Sequence, residues 1–293
     1  MDNYWELTKE LPNKINQEIV SEFLFSLKVA KRSKGTIIAY RRFLEIFFGE
    51  MKQPCTTITS DEVLSWFKKE DVHSSEAYFK LRLSIISSFY KFCIQEEHVN
   101  INPIKSRWFP RLPQSLPKYL EKEDIAKIRH YSEITSLRNQ VLVEFMLTTG
   151  CRVGEVSELN VEDINIEKRT ACVVGKGKKL RYVHFTEKCA FLLEKYISLN
   201  HTSQKALFLT YTGRRLSKRT IQQIIKDIGE GAEVRTNLYP HRLRHTFATE
   251  LLTKGADLSF IGDELGHSDV GTTQIYARLP KREIISLYRK FMG

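Results

Sequence analysis

The sequence predicts a mainly α-helical protein with a small antiparallel β-sheet, divided into two domains. Three observations carry that expectation. Apolar residues recur at helical spacing through most of residues 16–97 and again from residue 121 onward. A single glycine turn, "GKGKK" at 175–179, joins the short strand-like runs "TACVV" and "LRYVHF". Between the two helical halves, "NINPIKSRWFPRLPQSLPKYL" carries Pro103, Pro110, Pro113 and Pro117. Repeated prolines among polar and basic neighbours read as an extended linker rather than a packed element.

Taken in order, residues 16–51 hold two helical patterns. In "TIIAYRRFLEIFF" the apolar positions Ile37, Tyr40, Phe43, Leu44, Phe47 and Phe48 follow helical spacing, and Ser33 and Thr36 can cap the start. Further helices are expected at 60–69 and 75–97. The last carries a stripe of Leu81, Leu83, Ile86, Phe89, Tyr90 and Cys93, expected to be core. Four helices with short links make a small bundle. The division is therefore a helical domain at 1–102, a linker at 103–118 and a second domain at 119–293. Lys31, Arg32, Lys34, Arg41 and Arg42 cluster at the start of the second helix. They are either a solvated face or a phosphate-contacting one.

The second half opens with helices at 121–132 and 136–149, the latter stopped by "TTG" at 148–150. The strand at 170–174, the glycine turn and "LRYVHF" form a hairpin. Helices are expected near 187–199, 217–228, 243–254, 257–264, 269–277 and 281–291.

The chain of 293 residues is long enough for about two domains. No apolar run approaches the roughly 20 residues of a membrane-spanning helix, so no membrane partner is expected. "MDNYWELTKELPNK" lacks the basic and apolar regions of a secretory signal. Five scattered cysteines, none in a CxxC pair, fit a reduced cytoplasmic chain. The net charge is +11, unevenly spread. Residues 1–110 hold 16 Lys/Arg against 14 Asp/Glu, a net of +2, which leaves +9 for residues 111–293. A polyanion met mainly through the C-terminal part is the first inference.

Residues 241–276, "HRLRHTFATELLTKGADLSFIGDELGHSDVGTTQIY", concentrate histidine and arginine. His241 and His245 stand four apart, on one face of a helix. That spacing can bind zinc, but the intervening residues are Arg242, Leu243 and Arg244, with no Glu base, and guanidinium groups repel a cation. No metal or other cofactor is expected. An anion fits better, because arginine presents a planar, permanently charged fork to phosphate oxygens. Two arginines from different segments can clamp both non-bridging oxygens of a transferring phosphoryl group. Arg152 in "TTGCRVGEV" is the second candidate beside Arg244. Tyr276 is the candidate nucleophile, and its ordinary pKa of about 10 requires a base and cations nearby. His241 can accept a proton, and His267 can bond a phosphate oxygen or a departing proton. Lys176, at the tip of the glycine turn, is the candidate acid for the leaving alkoxide. Its alternative role is plain phosphate contact.

The segments "TTGCRVGEVSELNVEDI", "VVGKGKKLRYVHF" and the 241–276 run resemble, in order and spacing, the tyrosine site-specific recombinases of the phage-integrase family. The resemblance is strongest to Xer-type members and covers the whole chain. It implies that Arg152, Lys176, His241, Arg244, His267 and Tyr276 occupy the catalytic positions, with none missing. It implies a core-binding SAM-like domain and a catalytic domain closing as a C-shaped clamp on duplex DNA, with Lys31, Arg32, Lys34, Arg41 and Arg42 as DNA-binding candidates. It implies a 3′-phosphotyrosine, a Holliday junction, four protomers on two sites, and no need for ATP or metal. No further domain is expected before the four-helix unit, unlike lambda-type integrases, which implies a simple site of paired inverted half-sites. A second recombinase is an open partner. A DNA-binding repressor and a relaxing topoisomerase are the competing readings. Dimer resolution and recombination of a mobile element are equally compatible with the sequence.

Overall fold

The computed structural model describes residues 3–70, 75–111, 117–175, 179–199 and 205–266. The chain divides into two compact units, Met1–Pro113 and Gln114–Gly293.

The first unit is a bundle of α1 (Lys14–Val29), α2 (Lys34–Glu50), α3 (Ser60–Glu70) and α4 (Glu76–Gln95). Asn13, Ser33 and Ser75 cap α1, α2 and α4 by accepting the amides of Asn16, Thr36 and Tyr78. The core is rich in rings. Phe23, Phe43, Phe47, Phe48, Trp66, Phe67, Phe89 and Tyr90 are all buried, many in edge-to-face pairs such as Phe47 with Trp66 and Phe48 with Phe89. Leu83, Ile86, Phe89, Tyr90 and Cys93 lie in that core as the helical spacing predicts. Leu81 does not; it is 47% exposed. Its neighbour Arg82 takes the inward place, with its guanidinium carbon 4.8 Å from the Trp66 ring centroid and 5.3 Å from that of Phe43. Those aromatic faces accept a cation that spacing rules assign to solvent. Part of the stretch expected as linker also packs here. Pro103 O accepts the Ser60 hydroxyl, Ile104 is buried, and Trp108 and Phe109 pack on the same core.

The second unit is built on α6 (Leu137–Thr149), whose Val141, Leu142, Val143, Phe145 and Met146 are all buried. This helix is covered by α5 (Lys122–Thr135), α8 (Glu187–Leu199), α10 (Pro240–Thr253) and the strand at Leu180–His184. A three-stranded antiparallel sheet runs β1 (Ile164–Asn165), β2 (Thr170–Val174), β3 (Leu180–His184), in that spatial order. The hairpin register pairs Ala171 with Val183 and Val174 with Leu180. Strand β1 is too short to register as a pattern in the sequence. The short α7 (Val153–Glu158), α9 (Lys218–Gly231) and α11 (Leu258–Leu265) complete the described α-helices. Helix α10 begins three residues earlier than its apolar pattern, because Pro240 suits the first helical position. The helices expected near 269–277 and 281–291 lie outside the described residues. Among the described residues no helix is long and apolar enough to cross a membrane.

Candidate active site

Helix α6 ends at Gly150, whose φ of +59° is the left-handed conformation that glycine adopts without strain. The chain turns there, passes the buried Cys151, and presents Arg152 as the N-cap of α7. Arg152 is fixed from two directions. Its amide donates to Glu155 Oε2 at 2.8 Å and its Nη1 to Glu155 Oε1 at 2.9 Å. Its guanidinium also donates to the carbonyls of Leu265 at 3.4 Å and Gly266 at 3.3 Å. About a third of the side chain remains open to solvent.

Arg244, on α10, is 2% exposed. It donates to the Gly150 carbonyl at 2.7 Å and to the Leu265 carbonyl at 2.6 Å. The two arginines therefore share an acceptor, at the point where α11 ends in Gly266. His241 stands one turn before Arg244 on the same helix. Arg152, His241 and Arg244 line one groove of about 620 Å³. The His241 and His245 rings meet edge to face, 4.6 Å between centroids. Burial, then the charges of Arg244 and Arg152, hold the His241 pKa below its ordinary 6.5. Burial, then His241, Arg244 and Arg242, push His245 down to about 4. At neutral pH both rings are uncharged, so His241 has a lone pair free to take a proton.

Of the other candidates, Lys176, His267 and Tyr276 lie outside the described residues. Gly175 and Lys179, which flank the turn, are joined by a 2.8 Å bond from the Gly175 amide to the Lys179 carbonyl. Among the described residues no group of three or more His, Cys, Asp or Glu side chains is placed to hold a metal ion. In the first unit Lys31, Arg32, Lys34 and Arg42 are exposed. Arg41 is turned inward. Its Nη1 donates to the carbonyls of Tyr4 at 3.3 Å and Glu6 at 3.2 Å, which pins the segment before α1.

Two parts of the site escaped the sequence reading. Glu155 is 5% exposed and is gripped by Arg181 as well as Arg152, with Arg181 Nη1 at 2.7 Å and Nη2 at 3.0 Å. Burial alone would raise its pKa, but the bonds from Arg181 and the Arg152 amide outweigh that and hold it below the ordinary value. Glu155 accepts the Arg152 amide as the third residue of a capping box would, but arginine cannot accept at the N-cap position, so the sequence carries no capping signal for it. Nothing in the sequence points to Arg181. The second part is α9, which lines the same groove with Arg219, Gln222, Gln223 and Lys226. Two cations and two amides on one helical face suit a surface that meets phosphates and base edges.

Two family models match the chain. The phage integrase N-terminal SAM-like domain matches residues 20–97, and the phage integrase family domain matches residues 118–283. Tyrosine recombinase XerD of Staphylococcus epidermidis is 32% identical over 288 residues, which span 93% of this chain and 98% of that protein. Tyrosine recombinase XerC of Oceanobacillus iheyensis is 32% identical over 291 residues, spanning 92% of this chain and 94% of that one. Among solved structures, XerH site-specific recombinase bound to palindromic difH substrate, in a post-cleavage complex, superposes with a TM-score of 0.76. Its identity is 20%, over 98% of this chain and 90% of that one, so that likeness is one of fold.

Proposed function

Because this chain belongs to the phage integrase family, as a Xer-like tyrosine recombinase, we propose that it exchanges DNA strands through a 3′-phosphotyrosine on Tyr276 and a Holliday junction. The observation that carries the reading is the convergence of Arg152, His241 and Arg244 on one groove, with both guanidinium groups anchored to the Leu265 carbonyl. Fixed donors of that kind stabilise charge on the non-bridging oxygens of a phosphate under attack, with no reorganisation at the moment of reaction. His241, uncharged at neutral pH, takes the Tyr276 phenolic proton as the oxygen bonds to phosphorus. The bond from phosphorus to the 5′ oxygen breaks, and Lys176 protonates that oxygen. His267 bonds a phosphate oxygen. In the second step the 5′-hydroxyl of the partner strand attacks the phosphotyrosine and releases Tyr276. One phosphoester bond forms for each that breaks, so the cycle balances without ATP or a metal.

The substrate is duplex DNA with paired inverted half-sites, with Lys31, Arg32, Lys34 and Arg42 on phosphates and four copies of the chain on two sites. The relatives XerD and XerC and the DNA-bound XerH support DNA as the substrate. The same chemistry, carried out in the cytoplasm, suits either dimer resolution or the integration or excision of a mobile element. The deciding experiment uses Tyr276→Phe on a nicked half-site duplex that traps the covalent intermediate. Wild type should give an SDS-resistant protein–DNA band, and the variant should bind with near-normal affinity and give none. A persistent band in the variant would defeat the assignment.

A further inference from the structure

Arg181 has no part in the scheme above, yet two other segments of the second unit hold it. Its fork grips both oxygens of Glu155, and its Nε donates to the Glu264 carbonyl at 3.3 Å. Its aliphatic stem lies against Gly266, where an added Cβ would come within 2.8 Å of Cδ and 2.9 Å of Nε. The Arg181 side chain is only 14% exposed and that of Glu155 only 4%. Neither lines the groove that Arg152, His241 and Arg244 share. Glu155 is therefore a single buried carboxylate held between two arginines.

The charges explain why both are needed. A buried carboxylate facing Arg152 alone would form a closed pair with it, neutral overall. Arg152 would then have to leave Glu155 in order to serve a DNA phosphate. A second guanidinium on the far side of the carboxylate leaves the trio with one net positive charge. It also fixes the carboxylate, so that the Arg152 amide and Nη1 keep their bonds.

We propose that Arg181 is a positioning residue for DNA cleavage: it neutralises and orients Glu155, so that Arg152 stays both aligned and electrostatically available to the scissile phosphate. This rests on the role given to Arg152 above. Arg181, at the start of β3, also joins α7 to the end of α11, so the carboxylate is set by all three together.

The test measures single-turnover formation of the SDS-resistant complex at saturating protein, together with the Kd for the half-site duplex. Arg181→Ala should slow cleavage about 10- to 100-fold, as misplacement of a charge-stabilising group does, with the Kd held within about twofold. Arg181→Lys keeps the charge without the fork and should recover part of the rate. The decisive readout is the combination with Glu155→Gln. Once the carboxylate is gone there is nothing to neutralise, so adding Arg181→Ala should cost little more. Equal fold-losses in both backgrounds would overturn the proposal, and so would a Kd that weakens in step with the rate. Should Arg181→Ala fail to fold, Arg181→Lys in the two backgrounds gives the same comparison. A wild-type protein without a Tyr276 adduct would sink the recombinase chemistry. A wild-type adduct with Arg181→Ala at full speed would sink the role of Arg181 alone.

Discussion

Arg152 and Arg244 meet on one oxygen. The Leu265 carbonyl accepts from Arg152 Nη1 at 3.4 Å and from Arg244 Nη2 at 2.6 Å. The two side chains come from the N-cap of α7 and from within α10, and the acceptor closes a third helix, α11. Bonding both guanidinium groups to backbone fixes their separation before any phosphate arrives. Arg244 is buried and Arg152 partly open, so one is set entirely by the fold and the other keeps a face toward the groove.

Arg244→Lys tests that arrangement. A lysine ammonium cannot reproduce a fork spanning the Gly150 and Leu265 carbonyls. We expect cleavage to fall about 10²- to 10³-fold, the usual cost of one lost charge-stabilising donor. Half-site binding should change far less, because many other cations meet the DNA. Single-turnover rates and gel-shift titrations on the same preparation separate the two. A fall in affinity matching the fall in rate would count against a role in the transition state.

Gly150→Ala should damage both stability and cleavage. Its φ is +59°, and an added Cβ would lie 2.4 Å from Phe247 Cδ1 and 3.0 Å from Leu265 Cδ2. The same residue offers the carbonyl that anchors Arg244. We expect a loss of about 1–3 kcal/mol from the left-handed backbone alone, read by chemical denaturation of the full chain, with slower cleavage alongside it. Unchanged stability would mean that Phe247 and Leu265 yield freely.

The sequence discloses what depends on local chemistry. Helical spacing locates α2, α4 and α6, the glycine turn locates the β2–β3 hairpin, and Gly150 marks the end of α6. It does not disclose pairings made across the fold. Arg181 sits on a strand and Glu155 on a helix, and no spacing rule connects them. Arg82 enters an aromatic core because four rings converge on it from three helices, displacing Leu81 to the surface. The gathering of Arg152, His241 and Arg244 was legible only as a set of residue types suited to one reaction. That Leu265 and Gly150 supply the anchoring carbonyls follows from tertiary packing alone.

Arg41 and Arg42 should behave differently despite being neighbours. Arg41 is 13% exposed in its side chain and holds the Tyr4 and Glu6 carbonyls, while Arg42 is exposed. Arg41→Ala should lower the unfolding midpoint and leave the salt dependence of DNA binding nearly unchanged. Arg42→Ala should leave stability nearly unchanged and reduce the slope of log affinity against log salt by about 1, the signature of one lost phosphate contact. Interchanged results would place Arg41 on the DNA and Arg42 in the fold.

The two histidines of α10 set a pH window of their own. Both have folded-state pKa values below the ordinary 6.5, His245 at about 4. Between those values the unfolded chain binds protons that the folded one does not, so stability must rise with pH across that interval. The contribution is fully present above pH 6.5 and is lost as pH falls toward 4. Glu155 is lowered below 4.5, so its own loss comes in more acid solution. Urea midpoints at pH 5 and pH 7 should therefore differ in wild type, and the difference should shrink in His245→Gln, which cannot titrate. Cleavage should follow the neutral form of His241. The rate should be greatest near neutral pH and decline in acid, because a proton already on the imidazole blocks its use as a base. Arg244 and Arg152 bear on His241 electrostatically, and the His245 ring lies against it. A rate that climbed as the solution became more acid would instead make His241 a proton donor, and the direction of proton transfer assigned to it would be reversed.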